Sequence, residues 1–548
     1  MSTNLSKQNR DNLLSKISAI RAFISAAPQD ENTGNLLTYL SDLEKDVDGK
    51  KYGLVFEEHQ EAIDTVLAEH TPVLTEEKPL LIDNGGEMNF LLKGDNLAVL
   101  RLLEKTHRGR IDLIYIDPPY NTGNKDFVYD DCFVDAQDTF RHSKWLSFMS
   151  KRLELAKDLL SDRGVIFISI DDNEIAQLKI LCDSIFGFQN FRGQIARATG
   201  TPTGQGNATI SNEIDYVLVY AKTSETIFNG LPFDDESAKI YNLEDEFGRY
   251  LTRPLRKTGG EDRREDRPSM YYPVTAPDGS QLYPIAPSGY ESRWRCQEST
   301  YLSLCKEHRI EWKKDKTGWK VYQKFYLEGR TKQPGNLWIG IEGNKKATLT
   351  VKEIFGRNVF SFPKPLEFMD RIITIASQPD SIILDFFAGS GTTGHAVLAH
   401  NAAHTDSRRK FILCTNNENN ICRNVTYERI KRVIEQEGYA ASLKYYCIDY
   451  VPINEQLYYE YADELLRHVR ELVELENGIN FIENAEIAIV LTDEELADFI
   501  ARPEAFAKCH TLYLGHDILP TGEQDAAIKG QGIRVNIIPD YYYRELEG

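Results

Sequence analysis

The stretch "RIDLIYIDPPYNTGN" sets an acid, two prolines and a tyrosine at the end of an apolar run from Ile111 to Ile116. A run of this kind, flanked by breakers, predicts a central strand of an α/β sheet. Ligands of open α/β sheets bind beyond the carboxyl ends of the strands, so Asp117, Pro118, Pro119 and Tyr120 stand where chemistry is expected. Consecutive prolines restrict the chain and push the preceding Asp117 into an extended conformation, which aims its carboxylate. Pro118 and Pro119 lack an N–H, so their backbone contributes acceptors only. A cluster of acceptors beside an aromatic face suits a planar group carrying an NH2, and a nucleobase is the obvious candidate. The tetrapeptide alone also fits a turn capped by a tyrosine, so a second motif must decide.

"ILDFFAGSGTTG" is a strand followed by a glycine loop that opens a helix. Gly389, Gly391 and Gly394 satisfy G-x-G-x-x-G, which makes a dinucleotide site one reading. No Lys follows the last glycine, as a Walker loop would require. A dinucleotide enzyme also wants an acid at the end of the next strand for the ribose hydroxyls. Here that strand, "KFILCT", ends in Thr415 and the nearest acid is Glu418. The same loop can instead hold the methionine part of S-adenosylmethionine, with Asp385 and backbone amides near its charged amino and carboxylate groups. DPPY combined with FxGxG (Phe387, Gly389, Gly391) favours this second reading.

The two motifs resemble the catalytic and cofactor motifs of amino-group DNA methyltransferases. DPPY precedes the glycine motif by about 265 residues, which is similar to the β arrangement, whose recognition domain lies between the motifs. "HSKWLSFMSKRLELAKDLL", "GVIFISIDDNE" and "FPKPLEFMDRII" extend the resemblance, over about residues 80 to 450, to the Mod subunit of type III restriction–modification systems. The resemblance implies a site-specific, S-adenosylmethionine-dependent methyltransferase acting on adenine N6. Asp at the first DPPY position is typical of that chemistry, while cytosine N4 stays open; no Pro-Cys nucleophile supports cytosine C5 chemistry.

By this resemblance the target base is flipped from the duplex and stacked on Tyr120. Its amine then donates to the Asp117 carboxylate and the Pro118 carbonyl. Lys364 and Pro365 match the "KP" of the cofactor motif. Asp385, Phe387, Gly389, Gly391 and Thr392 form the glycine-loop set, and Asp95 of "KGDN" and Glu418 are expected at the adenosine half. Double-stranded DNA, a homodimeric partner and an ATP-dependent Res restriction subunit are the implied partners. A second functional class, a DNA-reading subunit that chiefly delivers a nuclease, also fits.

These residues need a scaffold, and the chain supplies strand, turn and helix repeatedly from "NFLLKGDNLAVLRLLEK" onward. That alternation predicts a largely parallel sheet, hence a Rossmann-like α/β methyltransferase fold. The expected parts are an N-terminal helical accessory region (1–80) and a methyltransferase domain in two pieces (81–191 with DPPY, 346–445 with FxGxG). An inserted target-recognition domain (192–345) and a small acidic C-terminal α/β module (446–548) complete the chain.

The inserted region is where phosphates could be met. The whole chain of 548 residues has a formal net charge of −20, yet residues 249–335 hold 18 Lys and Arg against 11 Asp and Glu, whereas residues 441–548 hold 8 against 21. Basic side chains interleaved with Trp and Tyr suit phosphate contact and base packing. Arg263, Arg264, Arg267, Arg293, Arg295, Lys313 and Lys314 are therefore the candidate DNA contacts. The eight cysteines show no CxxC or Cys/His ligand spacing, so no metal centre is expected. No stretch approaches the ~20 apolar residues of a membrane span, and the polar start lacks a signal peptide's core, which together predict a cytoplasmic location.

Overall fold

A computed structural model describes residues 5–26, 33–48, 56–123, 128–129, 132–133, 135, 137–200, 212–453, 458–481 and 484–543. Its main body is one ten-stranded sheet. In chain order the strands are β1 (His70–Glu76), β2 (Glu87–Lys93), β3 (Ile111–Ile116), β4 (Leu160–Ile170) and β5 (Phe191–Ala198). They continue with β6 (Ile214–Ala221), β7 (Leu337–Trp338), β8 (Ile382–Asp385), β9 (Lys410–Thr415) and β10 (Ala441–Pro452). Across the sheet they run β1-β10-β2-β9-β8-β3-β4-β6-β5-β7.

The strands from β10 to β4 are mutually parallel, and the connections that follow β2, β3, β8 and β9 are crossovers that carry a helix. Ile111, Leu113, Ile114 and Ile116 are fully buried, as the uninterrupted apolar run requires of a strand covered on both faces. The helix Arg141–Leu159 turns Trp145, Met149, Leu153 and Ala156 inward at helical spacing and packs them in the same core.

The non-local pairings redraw the expected domain limits. Strands β5 and β6 pair antiparallel with each other and β6 with β4, so residues 192–198 and 214–221 belong to the sheet and not to the insert. At the other end, β7 pairs in parallel with β5. The separate compact unit is Ile227–Asn336 together with Arg371–Ser377. The N-terminal region is not wholly helical, since β1 closes one sheet edge against β10. A boundary at 445 cuts through β10.

The acidic C-terminal segment is likewise not a free module, for Tyr461, Leu465, Val469, Leu472 and Tyr513 share the core of the sheet. Lys444 Nζ of β10 donates to buried Glu474 Oε2 at 2.6 Å, and the Tyr446 hydroxyl donates to the same oxygen at 2.8 Å. Part of the segment's negative charge is thus internal. Its strands Ile487–Val490, Thr511–Gly515 and Arg534–Ile538 form a small parallel sheet.

Taken by itself, the unit around Ile227–Asn336 holds a four-stranded antiparallel sheet of Leu243–Asp245, Gly248–Pro254, Gly318–Tyr326 and Ile310–Asp315. Leu255, Tyr272, Val274, Trp294, Tyr301 and Val321 form its core. Within "YYPVTAPDGSQLYP" a hairpin pairs Val274–Thr275 with Gln281–Leu282. No helix of the described residues is long and apolar enough to cross a membrane.

Candidate active site

Parallel pairing brings the carboxyl ends of β2, β9, β8, β3 and β4 to one edge of the sheet. Asp95 follows β2, Glu418 follows β9, the glycine loop follows β8 and DPPY follows β3. The two principal motifs leave neighbouring strands, because Leu113 and Ile114 pair with Ile383 and Leu384.

In the DPPY loop the Tyr120 hydroxyl donates to Asp117 Oδ1 at 3.0 Å. Lys364 Nζ donates to the Tyr120 hydroxyl at 2.9 Å and forms an ion pair with Asp117 Oδ1 at 2.8 Å. Lys364, expected with the cofactor set, therefore stands on the DPPY loop. Its neighbour Pro365 is buried and begins the turn into the helix Leu366–Ala376, where its carbonyl accepts from Met369 N. The Asp117 side chain keeps 26 % exposure against 11 % for Lys364, so the carboxylate can still be reached from outside. Burial and the nearby Asp117 push the Tyr120 phenol well above its ordinary range, which keeps it a neutral donor.

Behind the loop, Trp145 Nε1 donates to the Pro119 carbonyl at 2.7 Å. Asn121 adopts φ +56° and is buried; its Nδ2 donates to Glu174 Oε1 at 2.6 Å and to the Arg141 carbonyl at 3.3 Å. His142 Nδ1 also lies 2.6 Å from Glu174 Oε1. Asn121, His142, Trp145 and Glu174 lie within the stretches that carry the resemblance, "RIDLIYIDPPYNTGN", "HSKWLSFMSKRLELAKDLL" and "GVIFISIDDNE", yet none of the four was expected as a site residue.

The glycine loop is braced from within the sheet body. Gly389 and Gly391 have φ +48° and +75°, a region that other residues occupy only with strain. A Cβ on Gly391 would lie 3.2 Å from Thr426 Cγ2, and Thr426 Oγ1 donates to the Gly389 carbonyl at 2.6 Å. Gly394 serves packing, since a Cβ there would meet Ile430 at 2.9 Å and Leu413 at 3.0 Å. Buried Arg429 donates to the Ser390 carbonyl at 3.2 Å and to Thr392 Oγ1 at 2.8 Å. Thr392, expected to touch cofactor, thus has its hydroxyl engaged with Arg429.

Asp385 accepts from Phe387 N through one oxygen and from Thr393 Oγ1 through the other. Burial raises it to about 7, against those two hydrogen bonds and with a smaller push from Asp117. Phe387 packs against Phe148 at 5.9 Å between ring centres. Asp95 caps the helix Asn96–His107 by accepting from Leu97 N at 2.7 Å, and buried Arg152 lies 3.6 Å from it. Arg152 also makes a two-point pair with Glu61. Glu418 is exposed and accepts from Asn416 Nδ2 at 2.9 Å.

The sequence pattern of the N6-N4 DNA methylase family matches residues 111–426, more than half of the chain. The chain belongs to this DNA methylase family. It is 38 % identical over 340 residues to the type II methyltransferase M.KpnI of Klebsiella pneumoniae, covering 59 % of this chain and 79 % of that protein. It is 34 % identical over 380 residues to the type III StyLTI Mod subunit of Salmonella typhimurium, covering 64 % and 57 %. With the EcoPI Mod subunit of Escherichia phage P1 it shares 32 % over 380 residues, 61 % and 58 % of the two chains. It therefore spans somewhat more than half the length of the Mod subunits it matches.

In this DNA methylase family member, the expected DNA contacts of the unit around Ile227–Asn336 fall into two groups. Arg263, Arg264, Arg267 and Lys314 are exposed, with Arg264 over the Tyr271 ring and paired with Glu291 at 2.8 Å. Lys314 lies over Trp319 and Lys313 over Tyr322. Arg295 is half-buried and donates to the Pro254 carbonyl, while burial and then Arg253, Arg256 and Arg293 lower its pKa. Arg293 is only 6 % exposed and donates to the Glu261 carbonyl at 2.6 Å. It is a core strut and drops out of the surface set.

Proposed function

We propose that this chain transfers a methyl group from S-adenosylmethionine to adenine N6 in duplex DNA, as the modification and recognition subunit of a type III restriction–modification system. The observation that carries the reading is the pairing of β3 with β8, by which DPPY and the glycine loop open at one sheet edge.

The donor set suits the cofactor. The glycine loop allows close backbone approach, the helix Thr392–Ala403 turns its free N–H groups toward an anion, and Asp385 offers a carboxylate to a cation. Asp95 and Glu418 stand after β2 and β9 for the adenosine half. When bound, S-adenosylmethionine supplies a methyl on a sulfonium, an electrophile with a good leaving group.

The chain's own residues then position the acceptor. Adenine is extruded at a cost of a few kcal/mol, and the Tyr120 ring stacks on it. Lys364 and the Tyr120 hydroxyl load Asp117 Oδ1, leaving the second oxygen for one N–H of the amine. The Pro118 carbonyl accepts the other N–H, and the two bonds aim the nitrogen lone pair at the methyl. The unit around Ile227–Asn336 reads the target, with Arg263, Arg264, Arg267, Lys313 and Lys314 supplying phosphate contacts. A second copy of the chain and a Res subunit are the partners this reading implies.

One experiment tests the reading. Protein, tritiated S-adenosylmethionine and whole-genome-amplified bacterial DNA are incubated, and the product is sequenced by a method that reads modified bases. N6-methyladenine at one recurring site is the expected result; N4-methylcytosine or no incorporation overturns it. The 79 % coverage of M.KpnI favours a second reading, a type II methyltransferase, which the copurification of a Res-like ATPase would eliminate.

A further inference from the structure

The DPPY loop rests on a buried acid whose hydrogen bonds are incomplete in an informative way. Glu174 is fully buried at the start of the helix Ile175–Cys182. Its Oε1 receives both Asn121 Nδ2 and His142 Nδ1, each at 2.6 Å. Arg141 Nε donates to His142 Nε2 at 3.3 Å, so the proton of a neutral imidazole sits on Nδ1 and points at Glu174. Two neutral donors therefore share one oxygen.

The other oxygen, Oε2, is buried without a partner among the described residues, and so is the remaining atom of the partner amide, Asn121 Oδ1. Two planar groups joined by one hydrogen bond thus each keep one bare acceptor. Leaving a buried acceptor unpaired costs about 1–3 kcal/mol, and more when it is charged. A single proton on Oε2, donated to Asn121 Oδ1, satisfies both atoms and completes a two-point pair between acid and amide.

We propose that Glu174 is a positioning residue that works as a neutral carboxylic acid, locking Asn121, and with it Asp117 and Tyr120, by this double hydrogen bond. The inference rests on the methyltransferase reading for its kinetic consequence but not for the protonation itself. Burial pushes the Glu174 carboxyl above its ordinary range, against the pull of Asn121, His142 and Arg141. Among the described residues, those three, with Gln177 beside His142, are the polar and charged groups that face it. Asn121 lies one residue past Tyr120 in a left-handed conformation. A residue so placed needs an external tie to persist, and the pair supplies it. As pH rises and the acid ionises, Oε2 and Asn121 Oδ1 repel, the tie is lost and the reacting groups drift.

Glu174→Gln and Glu174→Ala test this, with methyl transfer to whole-genome-amplified DNA measured at saturating S-adenosylmethionine across alkaline pH. Glutamine places an N–H where the acid places its O–H, so Glu174→Gln should keep kcat near wild type and remove the alkaline fall. Glu174→Ala should lose about 100-fold in kcat, the usual cost of a displaced reacting group, with cofactor affinity unchanged. Difference infrared spectroscopy of wild type minus Glu174→Gln should show a protonated-carboxyl stretch, and it serves even if the alanine variant does not fold. A glutamine variant that binds cofactor yet is as slow as alanine overturns the proposal, as does the absence of that stretch. Wild-type protein that transfers no methyl sinks the methyltransferase reading instead, and the infrared band still decides the state of Glu174.

Discussion

Lys364 Nζ and Asp117 Oδ1 stand 2.8 Å apart, joined through Tyr120, although 244 residues separate Lys364 from that tyrosine. The contact ties the segment that precedes the glycine strand to the loop that follows β3. It also commits one carboxylate oxygen of Asp117 to Lys364 and Tyr120.

Lys364→Met should therefore act on chemistry and not on cofactor binding. Losing charge-assisted hydrogen bonds worth about 1.5–3 kcal/mol lowers kcat about ten- to hundredfold, with the Kd for S-adenosylmethionine unchanged by calorimetry. Asp117→Ala should abolish transfer with the fold intact. A weakened Kd at normal kcat in Lys364→Met would return the lysine to the cofactor set.

Asp385 should couple cofactor binding to pH. Its carboxyl is raised to about 7, so it is largely neutral in mild acid and charged in mild base. Affinity for the cofactor's ammonium group should tighten as pH rises through about 7, and Asp385→Asn should flatten that dependence. Folding shows the opposite trend. A raised pKa contributes stability that is complete below the unfolded carboxyl's value and is lost as pH rises through about 7. Urea unfolding of wild type against Asp385→Asn over this range measures it.

Gly391→Arg should abolish cofactor binding while the body of the sheet stays folded. At φ +75° the new side chain pays the left-handed penalty of about 1–2 kcal/mol, and its Cβ meets Thr426. Unchanged affinity in a folded variant would remove the loop from the cofactor site. Gly394→Val should instead lower the melting temperature, because that glycine faces Ile430 and Leu413.

Replacing Arg263, Arg264 and Arg267 by Ser should weaken duplex binding and make it less sensitive to salt. Each lost phosphate contact removes about 0.9 from the slope of log affinity against log salt. Fluorescence anisotropy at several salt concentrations reads both quantities, and a wild-type slope would make these arginines a solvated face. Arg293→Ser should destabilise the unit, since burial places that guanidinium on the Glu261 carbonyl.

The parts legible in sequence are those written locally. An apolar run ending in DPPY or in DFFAGSG declares its strand and its loop together, and β3, β4, β8 and β9 appear where such runs stand. Strands β1, β5, β7 and β10 are less legible because their membership depends on partners far along the chain. His70–Glu76 becomes an edge strand only when β10 arrives beside it. Residue type also conceals burial. Glu174 and Arg429 read as surface charges until packing encloses them, and "RWR" does not reveal that Arg293 turns inward while Arg295 stays half-buried.

Near the two ends of the segment Ile227–Asn336, Leu231 and Pro232 pair with Lys332 and Thr331. Two crossovers in the gene, one on each side of this pairing, would exchange residues 227–336 as a cassette. Such an exchange would leave Asp117, Tyr120, Lys364 and the glycine loop as they are.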